Sequence, residues 1–303
     1  MNPTGVVHKM NLPVTPHPAP EPAKPSADMR IGQILAARGR LTAAQIAKTL
    51  DEQTRTRQRF GETAVRLGLV MPKDVDDALA LQFGYTALEP TTAPFSPAVV
   101  AAFAPASPFV EALRGLRSQL MMRWFDGTPG QTALAVTSVD RGDGKSFITA
   151  NLGVVFAQLG ENTLIIDADL RHPTQHHNFG LPNRMGLSGV LSRRAGLEEI
   201  VPVPAVGNLS LLPSGPLPPN PQELLGRPEF SRLLNELSSV YDVILVDTPS
   251  AQQSSDAHVV AQRAGAALIV GRKDRTRSAE IAQLAGIMSN SGIQILGTTL
   301  NQP

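Results

Sequence analysis

The chain has 303 residues, of which 42% are apolar, and its 27 Lys and Arg residues almost balance its 26 Asp and Glu residues. This length predicts two domains, and the composition predicts a folded protein rather than a disordered one or one that binds a nucleic acid polymer through bulk positive charge. Cysteine is absent, which excludes a disulfide scaffold, a zinc–thiolate site and a cysteine nucleophile. No apolar run approaches the ~18 residues of a membrane span, and the N-terminus lacks the apolar core of a signal peptide, so we expect a cytoplasmic protein.

Residues 1–28 contain seven prolines, most of them between Pro13 and Pro25. Proline fixes φ and removes a backbone donor, so this segment is predicted to be a disordered, extended tail. A docking site for a polyproline-binding partner is the alternative interpretation.

Residues 29–85 contain a tandem repeat in which matching positions are 29 residues apart. The first copy runs from Arg30 to Gln53 and the second from Arg59 to Gln82. Apolar residues at steps of three and four predict two short helices in each copy, on either side of Gly39 or Gly68. One copy is too small to bury its own apolar face, so we expect the two copies to pack together.

A stretch rich in Pro, Ala and Thr predicts a linker at residues 86–108. It is followed by a predicted helix, Phe109–Trp124, on which Glu111, Arg114 and Arg117 lie three residues apart on one side. Spacing alone favours a solvated face for these three residues.

From Thr132 onward, apolar strands alternate with amphipathic helices. The predicted strands are Leu134–Ser138, Thr163–Asp167, Val243–Asp247, Ala267–Gly271 and Ile293–Leu300, and the predicted helices are Ser146–Gln158, Gln222–Leu237, Asp256–Arg263 and Ser278–Ser289. This alternation predicts an α/β domain over residues 109–303, with a mostly parallel sheet flanked by helices and preceded by the small all-helical repeat domain.

A glycine-rich loop, Asp140 to Ser146, follows the first predicted strand and opens a helix. Glycines let backbone N–H groups converge on phosphate oxygens, and the helix N-terminus adds the positive end of its dipole. Lys145 would reach the terminal phosphates and the Ser146 hydroxyl would bind magnesium. Because Val139 replaces the first glycine of the usual pattern, an ordinary strand–helix turn remains the alternative for the loop alone. The nucleotide-binding residues predicted in this loop are Gly142, Asp143, Gly144, Lys145, Ser146 and Phe147.

Acidic residues end two further predicted strands: Asp167 and Asp169 after one, and Asp247 after the other. The carboxyl ends of parallel strands face the crevice in which ligands bind. A lone aspartate at a strand end is most often a helix cap or turn former. Three of them beside a Gly-Lys-Ser loop favour nucleoside triphosphate chemistry.

In this order and spacing, the motifs resemble those of the bacterial tyrosine kinases (BY-kinases), which regulate capsule and exopolysaccharide export. The loop is similar to their variant Walker A motif, the strand end from Asp167 to Arg171 to Walker A′, and the strand end at Asp247 to Walker B. Two further matches are Gly215–Leu225, with the sequence GPLPPNPQELL, and the helix that carries Glu111. The resemblance covers about Phe109 to Asn301.

The resemblance implies a P-loop protein tyrosine kinase that uses ATP and Mg²⁺. Asp167 would be the base or an acid near the metal, and Asn301 would read adenine. The catalytic residues implied are Lys145, Asp167, Asp169 and Asp247, and the residues implied to hold Mg²⁺ are Ser146, Asp169 and Asp247. The implied oligomer contacts are Glu111, Arg114 and Arg117, which would pair with a neighbouring subunit of a homo-oligomer.

The resemblance also implies a place in the cell. The activator would be a membrane-embedded chain-length determinant, that is, a polysaccharide co-polymerase. We therefore expect the kinase to regulate exopolysaccharide chain length and export, and to lie peripherally at the inner membrane through this partner.

Two features depart from the resemblance. BY-kinases typically end in a tail with several phosphorylated tyrosines, whereas this sequence ends at Pro303 without one and contains only Tyr85 and Tyr241. We expect Tyr241 to pack in the core, which leaves Tyr85 as the candidate for a local acceptor; a packing role for Tyr85 is the alternative. The alternative function is therefore an ATPase switch in polysaccharide export without tyrosine autophosphorylation. Asp140 stands where partition and cell-division-site ATPases carry a signature lysine, which favours the kinases over that branch.

The tandem repeat has a resemblance of its own, to the N-terminal domain of type II secretion and pilus assembly ATPases. In some of those proteins the repeated motif binds cyclic di-GMP. Arg30 and Arg59 match the arginines that face the ligand, and Gly32 and Gly61 would allow a close backbone approach. The resemblance thus implies cyclic di-GMP as an effector, and a helical adaptor without a ligand is the alternative.

Overall fold

The computed structural model of the chain describes residues 31–82, Leu88 and residues 94–302. The predicted tail at residues 1–28, together with Arg30 and Tyr85, lies outside these described residues. Within the described ranges, no helix is long and apolar enough to cross a membrane.

The helices of the tandem repeat begin at the spacing that the sequence predicts. They are α1 (Ile31–Ala37), α2 (Ala43–Thr56), α3 (Phe60–Arg66) and α4 (Pro72–Gln82). The turns within the two copies lie at Gly39 and Gly68, whose φ values of 68° and 65° favour glycine. A shared core contains residues of both copies: Ile34, Leu35, Leu41, Ala64, Val70 and Ala78. The predicted packing of one copy against the other is confirmed.

The glycines at matching positions of the two copies lie at helix contacts. A Cβ atom on Gly32 would lie 3.0 Å from the ring of Phe60, and one on Gly61 would collide with Cγ1 of Val75. Close packing between helices therefore accounts for both glycines without a ligand.

A seven-stranded sheet forms the second folded unit. Its strands are β1 (Ala133–Ser138), β2 (Thr163–Asp167), β3 (Val201–Pro202), β4 (Leu209–Leu212), β5 (Val243–Asp247), β6 (Ala266–Arg272) and β7 (Gln294–Asn301). Their order is β3-β4-β2-β5-β1-β6-β7, and all pairings are parallel except that of β3 with β4. The predicted mostly parallel sheet is confirmed, and the five predicted strands correspond to β1, β2, β5, β6 and β7.

Helices cover both faces of the sheet, as buried strands require. One apolar core contains residues of α5 (Val100–Phe103), α6 (Pro108–Arg123) and α7 (Lys145–Leu159). The core on the opposite face contains residues of α9 (Gly186–Leu191), α10 (Pro221–Gly226), α11 (Pro228–Leu237), α12 (Asp256–Ala264) and α13 (Ser278–Asn290), while the short α8 (Gln175–Asn178) follows β2. Ten successive residues of α7, Ile148 to Ala157, are buried.

Two local predictions differ from the structure. The helix predicted over Gln222–Leu237 is divided into α10 and α11, because Pro228 excludes the helical conformation at Arg227, whose φ and ψ are −65° and 151°. Strands β3 and β4 were missed because they are short, with two and four residues.

Part of the predicted linker is packed on helix α7. Phe95 and Val99 are buried in the core. The side chain of Asn151 on α7 accepts a hydrogen bond from the backbone N–H of Ala101 and donates one to the carbonyl of Ala98, each at 2.8 Å. Residues around 95–101 therefore contribute to the α/β unit.

Candidate active site

The glycine-rich loop joins β1 to α7 at the carboxyl end of the sheet. Gly142 and Gly144 have φ values of 90° and 100°, a conformation that other residues rarely adopt. A Cβ atom on Gly144 would also overlap the side-chain amide of Asn301 at the end of β7. Backbone conformation and close contact together require glycine at position 144.

Asp143 braces this loop from inside the protein. Its buried carboxylate accepts hydrogen bonds from the backbone N–H of Asp140 at 2.8 Å and from the hydroxyl of Thr276 at 2.9 Å. Its backbone carbonyl accepts a 3.2 Å hydrogen bond from the amide of Asn301. The side chain of Asp143 is thus used to shape the loop, and Thr276 is a supporting residue that no sequence pattern indicated.

Lys145 lies at the first position of α7 and is almost completely buried. Its Nζ is 3.4 Å from Oδ2 of Asp169, whose Oδ1 accepts a hydrogen bond from the backbone N–H of His172 at 3.0 Å. The structure therefore joins the loop lysine to the second acid after β2. To reach a phosphate, Lys145 would exchange this carboxylate for another anion.

Asp167 and Asp247 face one another across neighbouring strands. Their Cα atoms are direct partners in the parallel register of β2 and β5, and both side chains are completely buried. Burial and the adjacent Asp247 carboxylate raise the pKa of Asp167 well above its usual range. Burial also raises the pKa of Asp247 to about 6, although the Lys145 ammonium opposes the change. Two such carboxylates favour a bound cation or a shared proton.

Gln175, at the start of α8, connects three of the predicted motifs. Its side-chain amide donates to Oδ2 of Asp247 at 2.7 Å and to the carbonyl of Ser146 at 3.0 Å. Its backbone N–H donates to Oδ2 of Asp167 at 2.9 Å. No sequence pattern indicates Gln175, because a glutamine eight positions after a strand-end acid forms no recognisable motif; its burial in the structure reveals it.

The donor set fits Mg²⁺ bound together with phosphates. Oδ1 of Asp167 and Oδ1 of Asp247 are buried and have no hydrogen-bond partner in the protein. The Ser146 hydroxyl lies close enough to Asp247 to lower the pKa of that carboxyl by hydrogen bonding. No set of three or more His, Asp or Glu side chains in the described ranges could hold a metal ion alone. Mg²⁺ in phosphoryl-transfer sites typically needs only one or two carboxylates, because water and phosphate supply the other ligands.

The remaining predicted residues lie around this centre. Phe147 packs against Phe109, with ring centroids 5.1 Å apart. Arg171 forms a 2.8 Å ion pair with the buried Asp256 at the start of α12, which fixes the segment after β2. Asn301 lies against the glycine-rich loop, and adenine recognition by this residue stays a prediction.

Helix α6 uses two of its predicted contact residues within the chain. Arg114 pairs with Glu111 on the same helix at 2.9 Å, and Nη1 of Arg117 donates to the carbonyl of Val155 on α7 at 3.0 Å. Glu111 itself is exposed. The role of these residues in an oligomer stays a prediction.

Comparisons with known proteins give relatives for most of the chain. Residues 131–286 match the family model described as "Cellulose biosynthesis protein BcsQ". The "Putative tyrosine-protein kinase CapB" of Staphylococcus aureus is 37% identical over 199 residues, which cover 65% of this chain and 86% of that protein. The "Putative tyrosine-protein kinase EpsB" of Ralstonia solanacearum is 30% identical over 272 residues, which are 86% of this chain but only 36% of EpsB.

A solved structure has the same architecture. The kinase domain of the Escherichia coli tyrosine kinase ETK superposes with a TM-score of 0.64 at 33% identity, covering 67% of this chain and 79% of that domain. The similarity therefore extends to the fold of the α/β unit.

Proposed function

The chain belongs to the family of bacterial tyrosine-protein kinases, and on this premise we propose that it transfers the γ-phosphoryl group of ATP to a protein tyrosine with Mg²⁺ as cofactor. The observation that carries the proposal is the buried pair Asp167 and Asp247 beside Lys145 and the glycine-rich loop. Phosphoryl transfer depends on positioning and on neutralisation of charge, and this group of residues is suited to both.

In the proposed reaction, the loop N–H groups and Lys145 would bind the β- and γ-phosphates, and Ser146 and Asp247 would hold Mg²⁺. Asp169 would exchange Lys145 for the metal and complete the magnesium site. Bound Mg²⁺ supplies positive charge to the phosphate oxygens. Asp167, the buried acid at the end of β2, would accept the proton of the tyrosine hydroxyl. The tyrosine oxygen forms the new bond to phosphorus, the bond to the β-phosphate bridging oxygen breaks, and ADP leaves.

The test uses the purified full chain with ATP, Mg²⁺ and a tyrosine-containing peptide, and phosphotyrosine is detected with a specific antibody. We expect phosphotyrosine with the wild type and none with Lys145→Met, which removes the charge that meets the phosphates. Lys273→Met is the matched control, since the Lys273 side chain is exposed and its Nζ bonds only to Gln302 among the contacts described. A signal from Lys145→Met equal to that of the wild type would contradict the kinase proposal. Hydrolysis of ATP without any phosphotyrosine would favour the ATPase switch.

We further propose that the kinase regulates exopolysaccharide chain length and export through a membrane chain-length determinant, which would hold it peripherally at the inner membrane. The family membership supports this role. Glu111, Arg114 and Arg117 on α6 are the proposed contacts between subunits, and Glu111 is the more exposed member of the ion pair that it forms with Arg114. Glu111→Arg should reduce the oligomer mass measured by light scattering in the presence of the partner, and an unchanged mass would contradict this contact.

A third part of the proposal is that cyclic di-GMP binds the tandem repeat. Arg59 is exposed at the start of α3, and Leu50 and Leu79, which are 29 residues apart, are 47% and 36% exposed. Exposed leucines at equivalent positions can cover planar bases, while a guanidinium can stack on guanine or bond to phosphate. Calorimetry on the full chain should give heat with cyclic di-GMP, less with Arg59→Ala, and the wild-type value with Arg55→Ala. No heat at micromolar ligand, or equal affinity for wild type and Arg59→Ala, would refute it.

A further inference from the structure

The last residue of β6 and the turn between β6 and α13 contact three consecutive residues of the glycine-rich loop. Nη1 of Arg272 donates to the carbonyl of Gly142 at 3.2 Å, and Nη2 of Arg275 donates to the carbonyl of Arg141 at 3.0 Å. The Asp143 carboxylate, as described above, accepts from the hydroxyl of Thr276. None of these contacts follows from a motif in the sequence.

The segment itself is fixed at both ends of its turn. The backbone N–H of Arg272 donates to the Thr276 hydroxyl at 2.8 Å, so that this hydroxyl connects β6 to Asp143. Lys273 donates its backbone N–H to the carbonyl of Asn301 on β7 at 3.0 Å. Asp274 has a φ of 61°, which aspartate tolerates better than most residues and which makes the turn tight. The two arginines are thus presented by a structured turn.

These contacts have a physical consequence for the loop. A loop that binds phosphate through inward N–H groups directs carbonyl oxygens outward, where the two arginines bond to them in place of water. A loop with two glycines would otherwise lose much backbone freedom when the nucleotide binds. Arg275 lies directly over Gly142, because a Cβ atom there would be 2.9 Å from its Nη1.

We propose that Arg272, Arg275 and Thr276 form a clasp that holds the glycine-rich loop in its nucleotide-binding shape before nucleotide arrives. This inference rests on the proposed function, since it concerns nucleotide binding by the same loop. The three are positioning residues. They act on the loop and not on the reacting atoms, so the clasp lowers the free energy of nucleotide binding equally in the ground state and the transition state.

The experiment measures ADP and ATP affinity of the full chain with Mg²⁺ by calorimetry, for the wild type and three variants. Arg275→Ala and Thr276→Val should each weaken binding about 5- to 10-fold, the effect of losing one hydrogen bond to a carbonyl or a carboxylate. Arg277→Ala is the matched control, since its side chain is 83% exposed and pairs only with Glu280 among the ion pairs described, at 4.0 Å. The control should bind within about twofold of the wild type, as expected for an exposed ion pair.

Three outcomes would overturn the clasp. If Arg277→Ala weakens binding as much as Arg275→Ala while Thr276→Val does not, the segment acts only through its general positive charge. If Arg275→Ala lowers kcat for ATP turnover and leaves KM unchanged, Arg275 acts on the transition state instead. Wild-type affinity in both Arg275→Ala and Thr276→Val would remove the clasp and leave the proposed function intact.

Two further results separate a failure of the clasp from a failure of the proposed kinase function. A wild-type chain that binds no nucleotide would overturn the proposed function and the clasp with it. Melting temperatures of all variants are measured without nucleotide. If Thr276→Val melts far below the wild type, Arg275→Ala decides the test, because the Arg275 side chain is exposed.

Discussion

Replacing Asp247 by asparagine should stabilise the metal-free protein at neutral pH while abolishing its response to Mg²⁺ and nucleotide. Burial raises the pKa of Asp247 from 3.8 to about 6, and a change of this size corresponds to about 3 kcal/mol. Asparagine carries no charge and keeps an oxygen that can accept the hydrogen bond from Gln175. Removal of the Asp247 charge also lowers the pKa of Asp167, because that charge is one cause of its elevation.

The sign of the pH dependence follows from the raised pKa. Below pH ~4, Asp247 is protonated in both folded and unfolded chains, so its ionisation costs no stability. As the pH rises to about 6, the unfolded chain loses this proton while the folded chain keeps it, and the free energy of unfolding falls. The variant should therefore match the wild type near pH 4 and exceed it by about 3 kcal/mol at pH 7.5, or roughly 5–10 °C in melting temperature.

The assay is thermal unfolding in EDTA without nucleotide at pH 4 and pH 7.5. Asp242→Asn is the matched control, since Asp242 is exposed and accepts a hydrogen bond from the backbone of Asn162 that asparagine can also accept. It should change the melting temperature by no more than ~2 °C at either pH. A variant Asp247→Asn that is less stable than the wild type at pH 7.5, or equally shifted at both pH values, would refute the electrostatic reasoning. With Mg²⁺ and ADP, only the wild type and the control should gain stability.

Three further substitutions test other parts of the structure. Gln175→Leu removes the amide that donates to the buried Oδ2 of Asp247. The free energy of unfolding measured in urea should therefore fall by about 1–3 kcal/mol, and by more in the presence of Mg²⁺ and ADP. A variant as stable as the wild type would contradict the bridging role of Gln175. Gly144→Ala forces a side chain into Asn301 at a φ of 100°, so nucleotide affinity should fall by at least about tenfold; calorimetry with unchanged affinity would show that the loop can relax. Leu35→Ala leaves a cavity at a fully buried position in the tandem repeat and should destabilise the repeat by about 2–5 kcal/mol. Nucleotide affinity should not change, because Leu35 belongs to the core of the repeat. A loss of nucleotide affinity in this variant would show that the nucleotide site depends on the core of the repeat.

The sequence predicted the fold where its patterns are periodic and long. The 29-residue offset predicted helices that the structure places at the same offset, and five strands of the sheet were predicted from buried apolar runs. Strands β3 and β4 could not be predicted, since runs of two and four residues carry too little pattern. The break between α10 and α11 could have been predicted from Pro228, whose effect on Arg227 is local.

The residues of the candidate site also differ in how well the sequence predicts them. Lys145, Asp167 and Asp247 lie at the ends of regular elements, so their positions follow from the topology. Gln175, Arg275 and Thr276 reach the site through tertiary contacts, and a single sequence holds no periodic signal of such contacts.

The burial of helix α7 limits how this helix can move within the domain. Because it is enclosed on every side from Ile148 to Ala157, it cannot tilt or slide without displacing what is bonded to it. Its first residue is Lys145, its middle is bonded to the 95–101 segment through Asn151, and the carbonyl of Val155 near its end is bonded to Arg117. A displacement of Lys145 would therefore have to disturb either the contacts with the 95–101 segment and with α6 or the buried core that surrounds the helix.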